Sequence, residues 1–237
     1  MMKIFWQITF LSILFLSAKP LSAQDEWKSI KIQGISLETI GQMVSDSQGV
    51  YFYPRLVEKF LANHQLANID YVMLYYGFTF SKMYNPYRHF ALEDSLGDLT
   101  GAQKGTEALA LADELLAENP VSIFGNIEKA YALNALNDKE KSFYYLERYR
   151  LLMQAMESSG EGSSYDRPIV VINPKDAQAI MLKYKLIELS KSINGRDGRY
   201  YDVYLVKNQK DKQYPIYFDI TIPQSLGMGI FKKDLKE

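Results

Sequence analysis

The chain has 237 residues, with 27 Lys+Arg against 28 Asp+Glu, two His, no Cys and 18 Tyr. That length fits one large domain or two small ones, and a 47% hydrophobic content is enough to bury a core. The near-balanced charge argues against a nucleic-acid or anionic-membrane binder, and the absence of Cys excludes disulfides, thiolate metal ligands, thiol nucleophiles and a lipid-modified N-terminal cysteine.

Met1–Ala23 reads as an export leader. Lys3 is the positive start, Ile4–Ser17 is the apolar stretch, and Ser22-Ala23 form the small-residue site before Gln24. The stretch is shorter than the roughly 18 apolar residues of a spanning helix. Losing Lys3 and Lys19 with the leader takes the formal charge from −1 to −3. Export without cysteine suits a bacterial periplasm, so the expected protein is periplasmic or secreted, not a lipoprotein, and without a transmembrane span after leader removal.

The remainder divides by periodicity into a helical part, 24–158, and a small mixed part, 159–237. The join, Ser158–Ser164, has the composition of a linker. In the first part, Tyr53-Pro54 suits a helix start, with Leu56, Val57, Phe60 and Leu61 on one face. Asn68 with Asp70 can cap the next helix. That helix, rich in Tyr75, Tyr76, Phe78 and Phe80, is apolar nearly all round and so expected at the centre, stopping before Asn85-Pro86. Thr100 and Gln103 form a capping-box pattern before a run with Ala108, Leu111, Ala112, Leu115 and Leu116 inward. Phe124, Ile127, Tyr131 and Ala135 then make one stripe. Behind a second capping pair, Asn137 and Glu140, the residues Ser142, Leu146, Tyr149, Met153 and Met156 make a seam. The short connection predicts that these two helices pack as an antiparallel hairpin through those stripes.

In the second part, Ile169–Ile172 is a short β-branched run expected as a buried strand. Asn173-Pro174 starts a helix with Ala177, Ile180, Met181 and Tyr184 inward. Leu186–Ile193, Tyr200–Lys207 and Tyr214–Ile222 follow as strands of an antiparallel meander, with the helix as the cover of its apolar face. The expected fold class is therefore α+β: a helical region followed by a small antiparallel sheet with one covering helix.

Two resemblances accompany these patterns. Phe124, Tyr131, Ser142, Leu146 and Tyr149 resemble the bulky and small positions of a tetratricopeptide repeat, a helix–turn–helix unit of about 34 residues. Tyr53-Pro54-Arg55-Leu56, Tyr75-Tyr76-Gly77-Phe78-Thr79-Phe80, Tyr84-Asn85-Pro86-Tyr87, Ser159-Gly160-Glu161-Gly162 and Tyr217-Phe218-Asp219-Ile220, in that order, resemble the exported Bacteroidota proteins that carry domain of unknown function 4919, over roughly 50–222. That resemblance implies secretion and a helical-repeat-plus-sheet layout, and no activity.

Little in the sequence points to catalysis. His64 and His89 are the two imidazoles, neither in a zinc-binding spacing; His89 is read as a solvated loop residue beside Arg88. No Gly-x-Ser-x-Gly elbow occurs. Gly101–Thr106 lacks the order of a phosphate loop, and Glu93, Asp94 and Asp98 are read as a solvated acidic loop. No catalytic residue, metal site or cofactor is expected. The tyrosines carry the binding expectation, because tyrosine offers rigid apolar area with a hydroxyl. The site expected is Tyr75, Tyr76, Tyr84, Asn85, Tyr87 and Arg88. Three readings stay open: a non-catalytic protein that binds a protein or peptide through a helical-repeat surface, a glycan or small-ligand binder with a tyrosine-rich pocket, and a hydrolase with an unrecognised site.

Overall fold

The computed structural model describes residues 26–226; the leader Met1–Ala23 lies outside the described residues. A 3-10 turn, Glu26–Ser29, leads into the hairpin β1 (Lys31–Ile32) and β2 (Ile35–Ser36). Helices α1 (Leu37–Ser45), α2 (Tyr53–Leu61), α3 (Asn68–Gly77), α4 (Phe90–Gly101), α5 (Gly105–Glu118), α6 (Ile123–Ala135) and α7 (Lys139–Glu157) follow. Then come β3 (Ile169–Val170), α8 (Asp176–Lys183), β4 (Ile187–Arg196), β5 (Arg199–Lys207) and β6 (Gln213–Asp219). The class is α+β, a helical layer beside a four-stranded sheet of order β3-β6-β5-β4.

Helix α3 is central, as its composition demands. Every residue from Tyr71 to Gly77 is buried, and α1, α2 and α7 all pack on it. Its cap differs from the expectation. Asn68 is the first helical residue, and the Asp70 carboxylate accepts the N–H of Ala67 at 2.8 Å. The helix ends at Gly77 and a 3-10 turn, Phe78–Phe80, carries the chain on. Gly77 is required there: a Cβ would sit 2.9 Å from Val44 and 3.1 Å from the Tyr53 ring. Helix α2 buries Leu56 and Phe60 but leaves Leu61 exposed.

Helix α7 fastens α2 through one side chain. Arg148 lies over the rings of Phe60 and Tyr144, at 4.3 and 4.2 Å, and donates to the carbonyls of Phe60 at 2.6 Å and Leu61 at 3.3 Å. Those are terminal carbonyls of α2, which have no partner inside the helix.

The α6–α7 hairpin forms, but not through the expected stripe. Tyr131 and Ala135 are exposed, Phe124 and Ile127 half-buried, and Leu146 of the seam is exposed. The pair closes instead on the side of Ala130, whose carbonyl accepts the Ser142 hydroxyl at 2.8 Å, and through Lys129, which donates to the Tyr145 hydroxyl at 2.8 Å. Met153 and Met156 are buried as expected. The stripe misled because α6 has neighbours on several sides. Its closest approach uses Gly125, where a Cβ would meet Leu115 at 2.9 Å. Both capping pairs are also displaced: Thr100 lies inside α4 with Lys104 preceding α5, and Asp138, not Asn137, accepts the Lys141 N–H.

The sheet is antiparallel among β4, β5 and β6, while β3 joins β6 in parallel at Ile169↔Phe218. Asp197-Gly198, both with positive φ, make the tight β4–β5 turn that a right-twisted hairpin favours. On β5 the core face carries Tyr204 and Val206, whereas Leu205 is exposed. β4 is the outer strand and is exposed along almost its whole length.

The Ser158–Ser164 join is packed tightly. Ser159 Oγ accepts the Val170 N–H at 2.8 Å, and a Cβ on Gly160 would come within 2.0 Å of the Pro168 carbonyl. A single hydrophobic cluster contains Met73 of α3, Met156 of α7, Ile180 of α8 and Phe218 of β6. Two outcomes follow in denaturant unfolding. Gly160→Ala should lose about 2 kcal/mol, because the obstruction is backbone. Arg148→Met, of similar length, should lose on the order of 1–2 kcal/mol, because only the longer contacts from the Asn63 N–H and the Tyr144 hydroxyl, at 3.3 and 3.4 Å, then remain on the α2 carbonyls; an unchanged midpoint for either variant would contradict the packing described.

Candidate functional site

Of the expected tyrosine site, Tyr75, Tyr76 and Tyr84 converge on the segment from Val170 to Asp176, where their hydroxyls hold the chain to itself. Tyr75 and Tyr76 are fully buried. The Tyr76 hydroxyl donates to the Val170 carbonyl at 3.0 Å, and the Tyr84 hydroxyl donates to the Ile172 carbonyl at 2.6 Å. The Tyr75 hydroxyl donates to the Asp176 carboxylate at 2.5 Å. Asn85 Oδ1 accepts the Tyr87 N–H at 3.1 Å, the local turn typical of an Asn before proline. Tyr87 sets its ring edge-on to Phe90. Arg88 pairs with Glu118 at 3.1 Å. The cavity beside Tyr84 and Asn85 measures about 10 Å³, room for one water.

His89 is not a solvated loop residue: its side chain is largely covered, and its Nε2 lies 3.3 Å from the Glu118 carboxylate. Burial lowers its pKa, with Glu118 pulling the other way. His64 is exposed. No hydrogen bond joins either imidazole to a serine, and no three His, Asp or Glu side chains gather as a metal site would require, among the described residues. Gly101–Thr106 is the turn between α4 and α5.

The acidic run Glu93, Asp94 and Asp98 is a correction, because it lies on α4 rather than in a loop. Leu92, Leu96 and Leu99, spaced by four and three, were the available signal; all three belong to the cluster that α4 shares with α5 and α6. Glu93 is fully buried and one of its oxygens has no hydrogen-bond partner. Opposite it stands Lys175, 3.7 Å away. The Lys175 ammonium also donates to the Phe90 carbonyl at 2.9 Å and to Asp94 at 2.6 Å. Burial pushes the Glu93 carboxyl up to about 7 against the pull of Lys175, and pushes Asp176 up to about 7 against the hydrogen bonds from Tyr75 and Asn173.

These contacts tie α8 to the helical layer, where it packs on α6, while Ala177, Ile180 and Met181 join the cluster that holds Ile216 and Phe218 of β6. Two clefts flank it as a result. The larger, about 630 Å³, separates α8 from the start of β6 and is open on one side. Ile180 and Tyr184 form one wall, Tyr214 and Ile216 the other, and Gly160–Ser163 the floor, with Leu186 and Ile169 completing an apolar lining. Tyr184, expected inward, stands at its rim, where its hydroxyl donates to Glu157 at 3.0 Å. The smaller cleft, about 150 Å³, lies between α6, α7 and α8. Sequence reasoning missed the larger cleft because its lining comes from separate stretches of the chain, and the Ser159–Gly162 segment of the resemblance does not say what faces it.

A family model described as Domain of unknown function (DUF4919) matches residues 38–226, so the chain belongs to that family. The match contains the whole of 50–222, where the resemblance was read, and extends past it at both ends. No curated protein and no solved structure matches the chain.

The buried carboxyls fix a pH dependence. A carboxyl whose pKa is raised on folding binds its proton more tightly in the folded state, so its contribution is complete below about 4.5 and lost as pH rises through about 7. Glu93→Gln should therefore gain stability relative to the native chain between pH 4.5 and pH 8, on the order of 2 kcal/mol. Parallel stability curves for the two proteins over that range would contradict it.

Proposed function

We propose that this chain is an exported, non-catalytic binding protein that holds an extended peptide segment of a partner protein in the cleft between α8 and β6. The observation that carries the reading is the cleft itself. Its volume of about 630 Å³ falls in the range of ligand sites, and its aliphatic and aromatic lining is joined by Glu157, Glu161, Ser163 and Asn208. Tyr184, at its rim, is more than half exposed. Such a lining suits apolar side chains of a peptide and holds no evident nucleophile or paired acid and base.

The helical-repeat surface enters this reading in altered form. The hairpins α4–α5 and α6–α7 follow each other in the chain, as the tetratricopeptide-like reading requires, and α8 lies against α4 through Lys175 and against α6 through direct packing. The binding surface proposed is therefore the one that α8 leaves open. Export rests on the composition of Met1–Ala23. Among the described residues, no helix is long and apolar enough to cross a membrane.

Selection from a displayed peptide library should enrich sequences with alternating apolar residues. Tyr184→Ser and Tyr214→Ser should weaken the best of them on the order of tenfold without lowering the Tm. Failure to enrich any peptide, or equal binding by both variants, would remove the proposal.

A further inference from the structure

The smaller cleft has a different chemistry. Phe124 and Ile127 of α6 and Leu182 of α8 give it apolar walls, and Tyr131, Tyr149 and Gln178 stand around them. Its charged groups are already engaged: Lys175 by Asp94, Lys183 by Glu157 at 2.6 Å, and Glu128 by the Thr100 hydroxyl. The Tyr131 and Tyr149 hydroxyls and the Gln178 amide form no hydrogen bond among the described residues. Burial raises the Tyr149 pKa, with the neighbouring Tyr131 adding to it, so that hydroxyl keeps its proton and remains a donor.

We propose that this cleft binds one neutral sugar ring of an oligosaccharide. A cavity of about 150 Å³ admits a six-membered ring. A sugar ring presents a face of C–H groups, which suits tyrosine and phenylalanine rings, and a rim of hydroxyls, which suits the free phenols and the amide. An anionic ligand would meet the Glu128 carboxyl, whose one partner is a hydroxyl, and a wholly apolar one would strip water from three polar groups without replacing it. The bridge from Lys183 through Glu157 to Tyr184 separates this cleft from the larger one, so the sites are testable apart.

The full chain titrated calorimetrically with neutral gluco-, manno-, galacto- and xylo-oligosaccharides should show saturable binding to at least one. Tyr131, 56% exposed, and Gln178, also exposed, can be replaced without disturbing the core. Tyr131→Ala and Gln178→Ala should each weaken that binding on the order of tenfold with unchanged Tm, whereas Tyr214→Ser leaves it intact. No saturable binding across the panel, tighter binding of acidic sugars, or full affinity in Tyr131→Ala would each overturn the assignment.

Discussion

The whole arrangement depends on how one short strand is satisfied on its second edge. β3 pairs with β6 on one side over only two residues, and its other edge faces the helical layer, where no strand is available. Buried backbone groups left unpaired there would each cost about 1–3 kcal/mol. Side chains take the place of a strand: Ser159 accepts the Val170 N–H, Tyr76 donates to the Val170 carbonyl, and Tyr84 donates to the Ile172 carbonyl. Tyr75 continues the series one turn on, at Asp176. The aromatic residues of α3 and of the turn beyond it thus join two layers that share little regular secondary structure.

That junction also decides where α8 goes. Asp176 at its start is tied to Tyr75, and Lys175 just before it reaches back to Phe90 and Asp94 on α4. A helix anchored at this end packs on α6, so a cleft remains between it and the start of β6, with Ile216 buried in its wall and Tyr214 half-buried beside it. The cleft is a geometric consequence of the anchor. The same anchor buries two carboxyls at some cost in desolvation, which makes the junction sensitive to pH.

Much of the fold was legible in the sequence because it rests on local chemistry. The central position of α3 follows from a segment with no polar face, and the β4–β5 hairpin follows from Asp197-Gly198. Packing partners were less legible. The stripe Phe124, Ile127 and Tyr131 has helical period, but period gives a direction and not a neighbour, and that direction turned out to be a cleft edge. α4 was hidden by its acidic residues, one of which is buried opposite a lysine 82 positions away in the chain. As for the tyrosines, their spacing showed that they matter without showing that their hydroxyls point at the protein's own backbone. The residues lining the larger cleft were legible singly, as a helix face, as strands and as the Ser159–Gly162 segment of the family resemblance, but an isolated Ile or Pro acquires meaning only from what stands across from it.

The central claim is that tyrosine hydroxyls, not merely tyrosine rings, hold the sheet to the helices. It is tested most directly by amide hydrogen exchange on Tyr76→Phe/Tyr84→Phe, which keeps both rings and removes both hydroxyls. Protection should fall together in β3, in β6 and in α3, by an amount equivalent to about 2–4 kcal/mol of opening free energy. Protection unchanged from the native protein, or lost in the sheet alone while α3 keeps its own, would contradict the account.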